Sequence, residues 1–297
     1  MSRRWRQAVV AATALVLASA GGGASTVAGI VVVRGADYPA FVEATDGLVA
    51  GLQELLPDSP VVLWRLGDVT PEGTAPRLEA IAQVVCTVGV RATEAVLRAR
   101  PGVPVVVVLA TPPDHPDSSA ALVTGVGSDV PAAIQLEALG RLLPRLRRLG
   151  LLYSSGTAHL VPDILRAARV AGVDVSAQAV RPTDDVVDAA VGMGDLDAFW
   201  MLPDPVVFSP RSRSDLFAYL RRNRVPVLAP TSRFLQGAGG ADVAVAPDPH
   251  QVGRQAATLV VRSLQGGRPR VEAPRAVTLY AKRRRGLADV PGVRWVE

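Results

Sequence analysis

The sequence predicts an α/β fold of two doubly wound parallel-sheet lobes, and three observations predict it. Short Val-rich runs bounded by Gly, Pro or Asp alternate with longer segments whose apolar residues recur at helical spacing. The pattern completes one series by Val126 and starts again at Leu149. The run Val105–Leu109 is apolar without alternation, as a central parallel strand covered on both faces should be.

In the first series, strands are expected at Gly29–Val33, Val61–Leu66, Val84–Val88, Val103–Ala110 and Leu122–Val126. Helices are expected between them at Ala40–Leu56, Ala75–Gln83 and Ala92–Arg100. The second series has strands at Leu149–Tyr153, Asp174–Val180, Ala198–Leu202, Val225–Ala229 and Val243–Ala246. Its helices are expected at Ala133–Leu143, Leu160–Ala171, Asp184–Val191, Ser214–Arg222 and Gln251–Leu264. A tail from Pro269 carries an expected strand at Ala276–Tyr280 and a short basic helix at Lys282–Leu287. Crossovers are right-handed and return to their own sheet, so two such series make two lobes. Ligands of open α/β sheets gather outside the carboxyl ends of the strands, which directs attention to the loops that follow them.

Composition narrows the function. A chain of 297 residues, 49% hydrophobic, buries a sizeable core and is neither disordered nor a mini-protein. The formal charge of +5 suggests nucleic acid until it is located: Arg3, Arg4 and Arg6, with no acid before residue 26, hold +3 of it. The remaining +2 is no broad basic surface, the cluster Lys282–Arg285 reads as a solvated helix face, and aromatic residues are only 4%. Nucleic-acid binding is therefore not expected.

The same N-terminal residues read as an export signal over residues 1–25. A basic start precedes an apolar stretch, Ala8–Ala20, and Ala18-Ser19-Ala20 fits a small-x-small cleavage pattern. A retained anchor is the alternative, because Val27–Val33 is apolar again. Cys86 is alone and sits in an apolar run, so no intramolecular disulfide is available and the thiol reads as core. His115, His159 and His250 lack metal-ligand spacing. There is no Gly-x-Gly-x-x-Gly after the first strand, no P-loop lysine and no Gly-x-Ser-x-Gly elbow. No cofactor, metal or catalytic activity is expected.

Several stretches carry a family resemblance. Val123-Thr124-Gly125-Val126, Gln135-Leu136-Glu137, Leu142-Leu143-Pro144 and Arg148–Ser154 are followed in order by Trp200–Asp204, Val225–Ala229 and Gly253-Arg254-Gln255. This ordered series resembles the substrate-binding proteins of ABC transporters, of the aromatic-amino-acid-binding type. The resemblance implies a type I periplasmic-binding-protein fold with three crossings between lobes, near Val126–Ser128, Pro247–Pro249 and Ala273–Ala276. It divides the chain into an N-terminal lobe of residues 26–126 plus 249–272 and a C-terminal lobe of residues 127–248 plus 273–297. It further implies a monomeric, periplasmic protein that closes over a small organic ligand, an amino acid being one class. The partner would be an inner-membrane ABC permease, or, in the alternative reading, a membrane receptor or kinase served by a sensory protein of the same fold. The chain departs from the family's pattern at Pro203-Asp204-Pro205, which keeps the acid and loses its polar neighbours, and at Pro230–Arg233.

The candidate ligand-binding residues are Tyr38, Arg91, Thr111, Tyr153, Ser154, Asp204, Thr231 and Asp248. Asp204 would pair with a ligand ammonium, or else serve a turn or helix cap. Tyr38 would stack on a planar ligand, or pack locally. Thr111, Ser154, Ser155 and Thr231 stand at strand ends where hydroxyls and helix amides hold carboxylates, Arg91 adds charge, and Asp248 touches ligand or caps the helix after it.

Overall fold

A computed structural model of the chain describes residues 29–70, 73–111, 123–237, 240–284 and 286–296. The expected export signal, His115 and the acids Asp114 and Asp117 lie outside these residues. No helix among the described residues is long and apolar enough to cross a membrane.

The first sheet contains β1 (Gly29–Arg34), β2 (Val61–Arg65), β3 (Ala82–Val88), β4 (Val105–Val108), β5 (Val123–Val126) and, from the far end of the chain, β11 (Val271–Glu272). Its strand order is β11-β5-β4-β3-β1-β2, all parallel. The second contains β6 (Arg148–Tyr153), β7 (Asp174–Ala179), β8 (Ala198–Trp200), β9 (Val227–Ala229), β10 (Val243–Pro247), β12 (Val277–Lys282) and β13 (Val293–Val296). Its order is β13-β12-β10-β9-β8-β6-β7, parallel except where β12 runs antiparallel to β10.

Burial explains the pattern of the first sheet. Val105 to Val108 are all fully buried, alternate residues facing opposite apolar clusters. One cluster lies under α1 (Pro39–Leu55) and α8 (Pro249–Leu264), the other beneath α2 (Thr74–Ile81) and α3 (Val90–Ala99). In the second sheet α4 (Ala132–Leu142) and α5 (Val161–Ala171) cover one face, while α6 (Val186–Val191) and α7 (Pro210–Arg222) cover the other. Cys86 is buried in the first of these clusters, and burial pushes its thiol up to about 12.

The chain thus passes between sheets three times, after Val126, after Pro247 and after Glu272. Helix α8 follows strand β10 of the second sheet yet packs on α1 of the first, at very short range. A Cβ on Gly253 would lie 2.1 Å from the Ala44 carbonyl oxygen, and one on Gly47 would lie 2.0 Å from that of His250. Only residues without a side chain let the two backbones approach so far.

Two expectations need correction. The basic segment at Lys282–Leu287 is not a helix: Lys282 is the last residue of β12, its amide donating to the Asp242 carbonyl at 2.8 Å. Arg283 lies over the Trp295 ring at 4.8 Å and Arg284 pairs with Asp242 at 2.7 Å, so these cations pack against the sheet. The helix expected to reach Gln83 stops at Ile81, because Ala82 already pairs with Gly29 in the sheet.

Alanine at Gly253 should lower stability by about 2 kcal/mol, since backbone cannot give way as a side-chain tip can, and this outweighs alanine's roughly 1 kcal/mol helix preference. Alanine at Gly140, also helical but with no atom within 4 Å of its Cβ, should instead gain about 0.5–1 kcal/mol. Urea midpoints of the two variants check the pair, and stabilisation by both would contradict the close approach.

Candidate ligand-binding cleft

The three crossings set the carboxyl edges of the two sheets against each other. Glu272 pairs with Val126 at the carboxyl end of β5, and Val277 pairs with Pro247 at the carboxyl end of β10. Five chain steps separate Glu272 from Val277, a span of at most about 18 Å. The crossings are also bonded to one another: the Gly127 amide donates to the Glu272 carbonyl at 2.9 Å and the Asp248 amide to the Ala276 carbonyl at 3.0 Å. Gln255, nearly buried on α8, brackets the third crossing, donating to the Ala273 carbonyl at 3.1 Å and accepting from the Arg275 amide at 3.0 Å.

Glu272 anchors this hinge. One carboxylate oxygen accepts from Arg262 at 3.0 Å and Arg270 at 2.5 Å, and the other from Arg275 at 2.8 Å. Burial raises the carboxyl's pKa, but Arg270 and Arg262, with Arg275 adding charge, outweigh it and hold the group below the usual carboxylate range.

On the first sheet's edge, Tyr38 precedes α1 and is 66% exposed, its ring edge-on to Phe41 with centroids 5.8 Å apart. Phe41 lies against Gly89, the residue before α3, where a Cβ would come within 2.5 Å of the ring. Arg91 follows in the first turn of α3 and is exposed. Thr111, after β4, donates its hydroxyl to Asp129 in the first crossing at 3.0 Å. Tyr38, Phe41 and Gly89 are thus packed in series at this edge, with Arg91 two residues beyond Gly89 and Thr111 bonded to the first crossing.

On the second sheet's edge, Tyr153 ends β6 half-buried and packed against the core, and Ser154 and Thr157 follow it buried. Asp204, in the loop after β8, is 2% exposed. One carboxylate oxygen accepts from the Ser154 amide at 2.7 Å and the Thr157 hydroxyl; the other accepts from the amides of Val206 at 2.9 Å and Val207 at 3.1 Å. Four in-chain donors use the four lone-pair sites of a carboxylate. Of the two roles open to Asp204, this geometry serves the turn, clamping the loop after β8 to the loop after β6. Burial raises its pKa most, yet the hydrogen bonds from Thr157, Ser154 and Val207 together hold it below the usual range.

Asp248 accepts from the Gln251 amide at 3.1 Å as the N-cap of α8. Thr231 is exposed and precedes a single 3₁₀ turn at Ser232–Leu235 without capping it through its side chain. Among the described residues no group of His, Cys, Asp and Glu could hold a metal ion.

The residue that the sequence reading missed is Arg34. It ends β1, its side chain is only 12% exposed, and its Nη2 donates to Asp37 Oδ1 at 2.5 Å. The signal was present as a lone charge closing the apolar run Ile30–Val33 immediately before a glycine.

Truncating Asp204 to alanine strips the acceptor from four donors, and stability should fall by about 3 kcal/mol. A change within about 0.5 kcal/mol, measured by urea unfolding, would instead mark a residue directed at ligand. The folded pKa values of Asp204 and Glu272 are both depressed, so their stabilisation is complete above the ordinary carboxylate pKa of about 4 and is lost as pH falls through the folded values. Unfolding midpoints taken from pH 7 down to pH 3 should hold above pH 5 and drop below pH 4, less steeply in Asp204→Ala than in the unaltered chain.

Comparison with known proteins accords with this architecture. The family model described as ABC transporter substrate binding protein matches residues 27–278. Among solved structures, a ligand-free, open substrate-binding protein with adhesive properties from Clostridium difficile superposes with a TM-score of 0.69 at 16% identity, covering 91% of this chain and 99% of that one. An ABC domain in complex with L-Trp from Streptococcus pneumonia gives a TM-score of 0.51 at 21% identity, covering 86% and 92%. A periplasmic ribose ABC transporter protein from Conexibacter woesei gives 0.53 at 15%, covering 87% and 94%. None of the curated proteins compared matches the chain. At these identities the structural likenesses speak for the fold, type I periplasmic binding protein, while the family model spans most of the sequence: the chain belongs to the ABC transporter substrate-binding protein family.

Proposed function

We propose that the chain captures a small organic solute between its lobes outside the inner membrane, closes over it about the three crossings, and presents it to an inner-membrane ABC permease. The observation that carries this reading is the opposition of the two carboxyl edges. Each edge gathers its sheet's loops, and one short, mutually bonded hinge joins them. Closure is then favoured by as much as the solute binds the closed form better than the open one.

An amino acid is the class that the cleft's chemistry favours. The Tyr38–Phe41 pair offers an aromatic wall for an apolar side chain, and Arg91 and Thr111 add a charge and a hydroxyl on the same lobe. The L-Trp complex of the pneumococcal relative supports the class, and the ribose protein marks sugars as the competing one. Asp204 contributes indirectly, by holding the loop that begins at Ser154, next to Tyr153 at the end of β6.

A thermal-shift screen of the purified chain against amino acids, sugars, nucleosides and short peptides tests the reading. A solute at about 100 times its Kd should raise the melting temperature by roughly 5 °C or more. A rise with amino acids that shrinks in Tyr38→Ala supports the assignment. A flat response to all four classes overturns solute capture.

A further inference from the structure

In each sheet the strand order reverses at one pair of neighbours, β1 and β3 in the first sheet and β6 and β8 in the second. The crevice of an open α/β sheet lies at the carboxyl end of such a pair. In the second sheet the chain fills this place with a carboxylate of its own, the buried and fully bonded Asp204. In the first sheet the residue standing there is a cation. Arg34 is the last residue of β1, and the next amide, of Gly35, donates to the Val88 carbonyl at the end of β3 at 3.0 Å.

The guanidinium is nearly buried and only half-used on one edge. Nε and Nη2 form the pair of parallel donors that a carboxylate takes together. Nη2 is bonded to Asp37, whereas Nε is buried and among the described residues has no acceptor. An unmade bond on a buried charged donor is costly and calls for an explanation. Asp37 supplies no complete answer: it reaches one donor, it is 61% exposed, and an exposed partner three residues away holds an ion pair weakly.

The surroundings share the preference for negative charge. Helices α1 and α3 begin on either side of this crevice, and neither has a side-chain cap or an acid in its first turn. The positive ends of both helix dipoles are left without a local counter-charge from those positions.

We propose that Arg34 is the anion-binding residue of the cleft, taking the solute's carboxylate on its Nε–Nη2 edge, and that Asp37 holds the same guanidinium until the solute displaces it. The proposal deepens the solute-capture reading and rests on it for the identity of the anion as a ligand group. Asp37 is then an internal competitor, and the cleft selects carboxylate-bearing solutes over neutral ones such as sugars.

The test follows the Arg34 Nε–H resonance of the ¹⁵N-labelled full chain while sodium acetate is titrated at constant ionic strength. The resonance should shift saturably, and Asp37→Asn should lower the half-saturating acetate concentration about three- to tenfold. Acetate should also raise the melting temperature saturably, and Arg34→Lys, which keeps the charge but not the paired donors, should lose that rise. An Arg34 resonance that acetate leaves unmoved, or an Asp37→Asn chain that binds acetate no more tightly, overturns the proposal, and the Asp37 variant gives this answer even if Arg34 variants fail to fold. Any amino acid found by thermal shift should bind at least about tenfold more tightly than its carboxamide, in which the carboxylate charge alone is removed, the equivalent of roughly 1.4 kcal/mol. An amide that binds as well as the acid overturns the role of Arg34 and leaves solute capture standing. Saturable acetate binding with no solute from any class supports the anion site and removes solute capture.

Discussion

Helix α8 lies against α1 because Gly253 and Gly47 carry no side chain, and much of the architecture depends on that approach. The segment that leaves the second sheet at Pro247 is drawn back to the first lobe by a contact in which two backbones nearly touch. Once α8 is seated there, β11 can add to the edge of the first sheet beside β5, and the chain must cross again to place β12 against β10. Three strands of chain then join the lobes where one would have sufficed for connectivity. They also hydrogen-bond to one another, Gly127 to Glu272 and Asp248 to Ala276. A single linker leaves two lobes freer to reorient than three bonded ones do, and the proposed closure would use that restriction.

The two carboxyl edges that this hinge opposes are built by the same topology and finished with opposite charges. Asp204 turns inward, and its lone pairs are consumed by Ser154, Thr157, Val206 and Val207. Such a group rigidifies a loop and has nothing left to offer a ligand. Arg34 is held less completely, by one exposed carboxylate on one of two parallel donors. The asymmetry assigns different tasks to the lobes: one edge is pre-organised by internal bonds, and the other keeps bonding capacity in reserve. Preorganisation of the first kind lowers the cost of ordering a site, and under the proposed function reserve capacity of the second kind would supply the differential affinity for closure.

Much of the fold was legible in the sequence, for identifiable reasons. The run Val105–Val108 announced a central strand because burial on both faces removes any need for polar alternation. The helix expected from Asp184 is α6, which begins at Val186 because the Asp185 carboxylate caps it by accepting from the amides of Val187 and Asp188. Short elements were not legible: β11 is two residues long, and β13 owes its strand to pairing with β12, so neither carries enough periodicity of its own. The stretch Lys282–Leu287 misled because consecutive basic residues look like a solvated helix, while Trp295 and Asp242, distant in sequence, take up two of those cations. At the carboxyl edges, the cap read for Asp248 and the turn read for Asp204 are both present. Tyr38, Arg91 and Thr111 stand on the first lobe's edge, Asp204 is engaged by donors from two loops, Asp248 by the first turn of α8, and Arg34 escaped notice.

The sequence by itself determined the alternation of strand and helix, the existence of two mostly parallel sheets and the edge at which a ligand would be sought. These follow from periodicity and from the steric rules of crossover connections, which act locally along the chain. Tertiary structure alone decided which polar groups on that edge are already satisfied. Whether an Asp or an Arg is spent or available depends on donors and acceptors brought to it from far along the chain, as Ser154 is brought to Asp204, and no local pattern encodes that distance.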